Sequence, residues 1–76
     1  MENRSLSAIA YEIARTWPKV NYAAVPYLSA MRELDSIEDS YYYDSGRGVV
    51  RGFLSNAASW RGDSAKRIKA ELKAML

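Results

Sequence analysis

Between Leu6 and Trp17 the apolar residues Leu6, Ile9, Ala10, Ile13, Ala14 and Trp17 fall at offsets of 0, 3, 4, 7, 8 and 11. The backbone that gathers all of these on one face is the α-helix, with its period of 3.6 residues. Ser5 stands where an N-cap hydroxyl is wanted. Pro18 closes the run, because proline drives the residue before it out of the α region. The spacing therefore predicts a helix over 5–17. A stripe this wide must be buried against something, which commits the rest of the chain to supplying a partner face.

The remaining segments carry similar patterns. Asn21 is placed to cap a second helix, and Pro26 sits in its first turn, where a missing N–H costs little. Tyr27, Leu28, Met31, Leu34, Ile37 and Tyr41 then continue at helical spacings. They predict one helix over roughly 23–39 with an irregularity near Asp35. The sequence Asp35-Ser36-Ile37-Glu38 also has the form of a capping box that would restart the chain as a separate short helix. Asp44 or Ser45 caps a third helix bearing Val49, Val50, Phe53, Leu54, Ala57 and Trp60, with Gly62 as its closing C′ residue. Asp63 or Ser64 caps a fourth, which buries Ala65, Ile68, Leu72 and Met75. No segment shows strand alternation, and the links are short. The expected fold is all-α, a compact bundle of about four short helices forming a single domain over 1–76, with residues 1–4 frayed. Its core is expected to hold Leu6, Ile9, Ile13, Trp17, Leu28, Met31, Leu34, Val50, Phe53, Leu54, Ile68 and Leu72.

Composition removes whole classes of chemistry. The 76 residues include no cysteine and no histidine. Disulfides, thiolate metal sites and cysteine nucleophiles are thereby excluded, as are the commonest general base and the commonest metal ligand. No cofactor is expected, and no enzymatic role. Met1-Glu2-Asn3-Arg4 leads into a polar-interrupted segment rather than an apolar signal core. No apolar run approaches the ~20 residues that span a bilayer. The expected location is cytoplasmic, away from membranes.

Three features stand out against this background. Gly46-Arg47-Gly48-Val49-Val50-Arg51-Gly52 is glycine-rich, but no strand precedes it and no Gly-Lys-Ser/Thr follows, so it does not read as a phosphate loop. It reads as close helix packing along Gly48 and Gly52. The carboxylates Glu33, Asp35, Glu38, Asp39 and Asp44 lack the ligand alternation and central glycine of a calcium loop, and they read as a solvated helix end. Charge is also divided along the chain. Residues 1–44 carry four basic and seven acidic groups, a net −3, and residues 45–76 carry seven basic and two acidic groups, a net +5. Lys66, Lys69 and Lys73 share one stripe of the fourth helix. That stripe is either a contact for an acidic partner, a solvated rim, or the counterpart of the chain's own acidic segment. Finally, Tyr41-Tyr42-Tyr43 cannot all point into one core, so at least one ring is expected on the surface, as at contact surfaces. The predicted partner contact comprises Arg47, Arg51, Lys66, Lys69, Lys73 and Tyr42.

The run Asn21-Tyr22-Ala23-Ala24-Val25-Pro26-Tyr27-Leu28, then Leu34-Asp35-Ser36-Ile37, Asp44-Ser45-Gly46, and Phe53-Leu54-Ser55-Asn56-Ala57 carry a resemblance, as do Trp60-Arg61-Gly62, Ala65, Ile68, Lys69, Glu71 and Leu72. Over nearly the whole chain, from Leu6 to Leu76, it resembles small uncharacterised proteins carried by phage-like and other mobile elements in gut and related Gram-positive bacteria. The resemblance implies a small cytoplasmic accessory protein and brings with it no activity and no site residues. Two functions follow as expectations. One is a protein-interaction or regulatory accessory module, monomeric or weakly dimeric, with an unidentified protein partner. The alternative is nucleic-acid binding by the fourth helix with Arg47, Arg51 and Arg61, although a net charge of +2 is low for that role.

Overall fold

The computed structural model describes residues 4–76. Helix α1 spans Leu6–Thr16; the Ser5 hydroxyl accepts from the Ala8 N–H, and Trp17 closes the helix by donating to Ile13 O. A 3₁₀ turn over Tyr22–Ala24, capped by the Asn21 side chain, leads directly into α2, Val25–Met31. A two-stranded antiparallel hairpin follows, β1 (Ser40–Tyr41) and β2 (Asp44–Ser45), then α3 (Gly46–Ser55) and α4 (Asp63–Met75). The chain is thus mostly helical, but the all-α expectation needs correcting by this hairpin. The expected fraying at residues 1–3 lies outside the described residues. Arg4 is tied down, its guanidinium bonded in a fork to Glu71 and singly to Glu12.

The second helix is shorter than its apolar spacing predicts, and the cause is long-range. The first N–H groups of a helix have no partner inside it. Those of Leu6 and Ser7 donate to the carbonyls of Asp35 and Leu34, at 3.1 and 2.9 Å. The 34–35 carbonyls are thereby committed to α1 and are not left to a continuing α2. Side chains hold the resulting turn. Asp39 Oδ2 accepts from the Asp35 and Ser36 N–H groups, and Ser36 Oγ accepts from the Glu38 N–H. Such local bonds compete with helix.

The hairpin grows out of this turn. Gly46 and Arg47, the first residues of α3, donate to the carbonyls of Asp39 and Ile37. A Cβ on Gly46 would stand 2.8 Å from Ser36 O and 2.9 Å from Ile37 Cα and O. Glycine is required there by close backbone approach. Gly52 packs under the Tyr27 ring, where a Cβ would collide with it, whereas Gly48 meets only Ser45 Oγ at 3.3 Å. The packing expected along Gly48 and Gly52 is therefore carried by Gly46 and Gly52.

The core joins α1, α2, α3 and α4 around an aromatic cluster. Trp17 stacks on Trp60 with ring centroids 5.3 Å apart and planes 6° from parallel, and Phe53 meets both edge-on at 6.2 Å. Every residue of the expected core is buried except Leu54, which is half-buried. Trp60 joins from outside α3, which stops at Ser55. Asn56 ties down that exit, donating from Nδ2 to Gly52 O and accepting at its own carbonyl from Asn21 Nδ2. Gly62 does not terminate α3. It precedes α4 at φ 111°, a left-handed conformation that glycine adopts without penalty, and Asp63 is already helical.

Candidate functional site

No polar or charged side chain is buried among the described residues, so every candidate for function lies on the surface. Two surfaces are distinctive. The first is a groove of about 390 Å³ at the start of α4. Trp60 lines it, only 3% exposed, together with Arg61, Gly62, Asp63, Lys66 and Lys69. Two features of the chain create it. Stacking on Trp17 pulls Trp60 inward, and Gly62 turns the chain without a side chain to fill the space, since nothing lies within 4 Å of where its Cβ would be.

Lys69 is the best-defined cation in the groove. Its Nζ donates to Trp60 O at 2.6 Å and lies 5.9 Å from the Trp60 ring centroid, within cation–π range. Both partners are neutral. Desolvation lowers its pKa, and the charges of Lys73 and Arg61 lower it further. Lys66 and Arg61 are exposed and form no ion pair among the described residues. Three cations against the single carboxylate of Asp63 leave the groove electropositive.

The second surface is the hairpin tip. Tyr42 and Tyr43 form its two-residue loop between the paired Tyr41 and Asp44. Such loops need positive φ, usually supplied by Gly, Asn or Asp. Here Tyr42 supplies it, at φ 55°. A bulky residue in that region is strained. Tyr41 is half-buried against the core, while Tyr42 is 84% exposed and Tyr43 fully so. The Tyr42 ring meets Tyr41 edge-on at 4.7 Å. Partial burial and the nearby Glu33 carboxylate raise the Tyr41 phenol pKa. Of the tip's acidic neighbours Glu38, Asp39 and Asp44, only Glu38 is ion-paired among the described residues, to Arg47 at 3.2 Å.

The predicted contact residues therefore divide. Lys66 and Lys69 share the groove, with Lys73 close enough to act on Lys69. Arg47 is engaged elsewhere, donating to Glu38 and to the main-chain oxygen of Leu76 at 2.9 Å. Arg51 is exposed on α3, and Tyr42 stands at the hairpin tip, outside the groove. Among the described residues, Arg47 alone of the seven basic residues in 45–76 is paired with the acidic segment 33–44. The stripe Lys66, Lys69 and Lys73 makes no such pairs. The sequence reading missed Trp60 as a groove wall. The spacing places Trp60 as one more position of the third helix's stripe, and no local signal separates the two roles.

A separate set of charges ties the ends of the fold together. Arg4 and Arg67 both hold Glu12, and Arg4 also holds Glu71. The Glu12 carboxyl lies below the usual carboxylate range because of its bonds from Arg67 and Arg4, and that of Glu71 because of its bonds from Arg4. Among the described residues no group of three or more acidic side chains is placed to hold a metal ion. No helix there is long and apolar enough to cross a membrane. Comparison with protein-family models, with curated proteins and with solved structures found no match in any of the three.

Proposed function

We propose that the chain is a protein-interaction module without catalytic chemistry of its own, and that it holds an acidic segment of a partner protein in the groove at the start of α4. What supports this is the placement of Arg61, Lys66 and Lys69 around Trp60, with Lys69 satisfied only by neutral groups. An incoming carboxylate would complete the charge-assisted bonds that these cations lack within the molecule. The groove offers one carboxylate, Asp63, and no second acid to pair with it for general acid–base work.

Nucleic acid is the second reading of the same positive charge, and the cluster of Arg61, Lys66, Lys69 and Lys73 favours it. Two features weigh against it. Single-strand binders present aromatic rings for bases to stack on, but Trp60 is buried. Of the exposed rings, Tyr42 and Tyr43 stand beside Asp44, which repels phosphates, and Tyr11 and Tyr22 lie outside the groove.

Calorimetric titration with a random glutamate–tyrosine copolymer and with duplex DNA, at low and moderate salt, separates the two. The copolymer is expected to bind the parent protein and to lose that binding in the Arg61→Gln/Lys66→Gln variant. Tighter binding to duplex with a steep salt dependence, the mark of counterion release, would establish the nucleic-acid reading instead. Absence of binding to both probes would refute the groove as a contact surface.

A further inference from the structure

We propose that the acidic segment seated in the groove belongs to a second copy of this chain: the Tyr42–Tyr43 hairpin tip of one molecule docks on the Arg61–Lys66–Lys69 groove of the next. The proposal rests on the groove reading above and names its partner.

Three observations lead to it. First, the two surfaces are complementary in charge, the tip through Asp44 above all, since Glu38 is paired with Arg47 and Asp39 Oδ2 accepts from the Asp35 and Ser36 N–H groups. Asp39 and Asp44 form no ion pair among the described residues, nor do Arg61, Lys66, Lys69 and Lys73. Among the described residues three ion pairs join the two halves, Arg4–Glu71, Arg47–Glu38 and Arg67–Glu12, and none of them involves the groove cations or Asp44. Second, their shapes suit each other. The tip is a narrow two-residue loop with two projecting rings, and the groove's volume of about 390 Å³ admits a few side chains rather than a broad face. Third, the tip keeps a strained tyrosine where glycine would be at ease, and it presents that ring to solvent. Backbone strain retained at an exposed point is characteristic of contact sites. Tyrosine suits the role, being rigid and amphipathic, with its ring against the lysine stems that line the groove and its hydroxyl able to bond at the cationic rim.

The contact is heterologous, because the surface given differs from the surface received. Each molecule therefore retains one free tip and one free groove after pairing, and association can repeat. Two rings burying about 150–250 Å² each make a small interface, in the range of weak and transient encounters. Close charge pairs in such an interface are screened by salt.

Sedimentation and light scattering over a range of protein concentrations test this with two variants altered only at exposed positions. Arg61→Gln/Lys66→Gln/Lys73→Gln disables the groove; Tyr42→Gly/Tyr43→Ser disables the tip. At low salt the parent's average mass is expected to rise with concentration beyond twice the 8.6 kDa of one chain and to fall back when salt is added. Each variant alone is expected to stay at one chain. Their mixture should form a pair and nothing larger, since it holds one competent tip for one competent groove. Circular dichroism checks that both variants remain folded. A parent that stays at one chain at every concentration overturns the proposal, as does a variant that associates as the parent does, or a mixture that forms no pair. If these fail while the copolymer still binds in the groove, the second copy is the wrong occupant and the groove reading stands. If copolymer binding fails as well, both fall.

Discussion

Gly46→Ala and Gly48→Ala make the same chemical change two residues apart in α3, and the structure gives them different outcomes. In an exposed helix, alanine is favoured over glycine by about 1 kcal/mol. At Gly48 the added methyl meets only the Ser45 hydroxyl at 3.3 Å, so that gain is partly offset by displacing a cap that accepts from the Gly48 N–H. The net change should lie within about 1 kcal/mol of the parent. At Gly46 the methyl meets three main-chain atoms of Ser36 and Ile37, at 2.8–2.9 Å. No rotamer change relieves that. The 36–39 turn must move, and it is bonded to α3 through Gly46 N–H to Asp39 O and Arg47 N–H to Ile37 O. Overpacking of this kind costs about 1–3 kcal/mol. For a domain of this size each kcal/mol moves the melting temperature by about 4–8 °C. Gly46→Ala should therefore melt about 5–20 °C below the parent, while Gly48→Ala stays within several degrees of it. Thermal unfolding followed by far-ultraviolet circular dichroism, with urea midpoints as a second measure, gives both values. Equal melting of the two variants, or a Gly46→Ala variant as stable as the parent, would refute the close approach of the 36–39 turn to α3.

Trp17→Ala removes the stacking partner of Trp60 and should cost about 3–5 kcal/mol, a large part of the total stability of a chain this size, about 4–11 kcal/mol; a variant melting within a degree or two of the parent would place Trp17 outside the core. Tyr42→Gly should be neutral to stabilising by up to about 1 kcal/mol, because glycine takes φ 55° without strain while adding freedom to the unfolded chain; a clear loss in the urea midpoint would show that the ring's contact with Tyr41 outweighs that strain. The lowered carboxyls of Glu12 and Glu71 stabilise the fold above their unfolded value of about 4.3, and that contribution is lost as pH falls through their folded values. The melting temperature of Arg4→Ala should therefore lie below the parent's near neutrality and converge on it in acid, and a gap independent of pH would refute this linkage.

What was legible in the sequence is what local periodicity encodes. The first helix and the apolar face of the fourth follow from the 3.6-residue spacing, and Pro18 and Asn21 mark real boundaries because their effects act on adjacent backbone. The second helix was drawn too long because Leu34 and Ile37 keep its spacing. Its true end is set by α1, whose unpaired N–H groups take the 34–35 carbonyls from across the fold. The hairpin was missed for the converse reason. Its strands are two residues each, too short to show alternation, and its loop uses tyrosine where the turn signal would be Gly, Asn or Asp. Trp60 fell on the third helix's stripe by spacing alone, although the chain had already left the helix at Ser55 and returns to the core through the stack on Trp17.

The candidate site was legible only as a stripe of charge, and the reason lies in the size of the core. A chain of 76 residues without disulfides has to bury its largest rings together to be stable. Bringing Trp60 onto Trp17 draws the chain inward just before α4, and Gly62 then turns it outward again without filling the space. The groove is the space left by that detour. Lys69, which neither charge nor spacing distinguishes from Lys66 and Lys73, becomes distinct because it reaches over the buried indole to Trp60 O. Its desolvation is thus a consequence of how the aromatic core closes. Trp17→Ala should accordingly disturb the groove as well as the stability, although Trp17 does not line it.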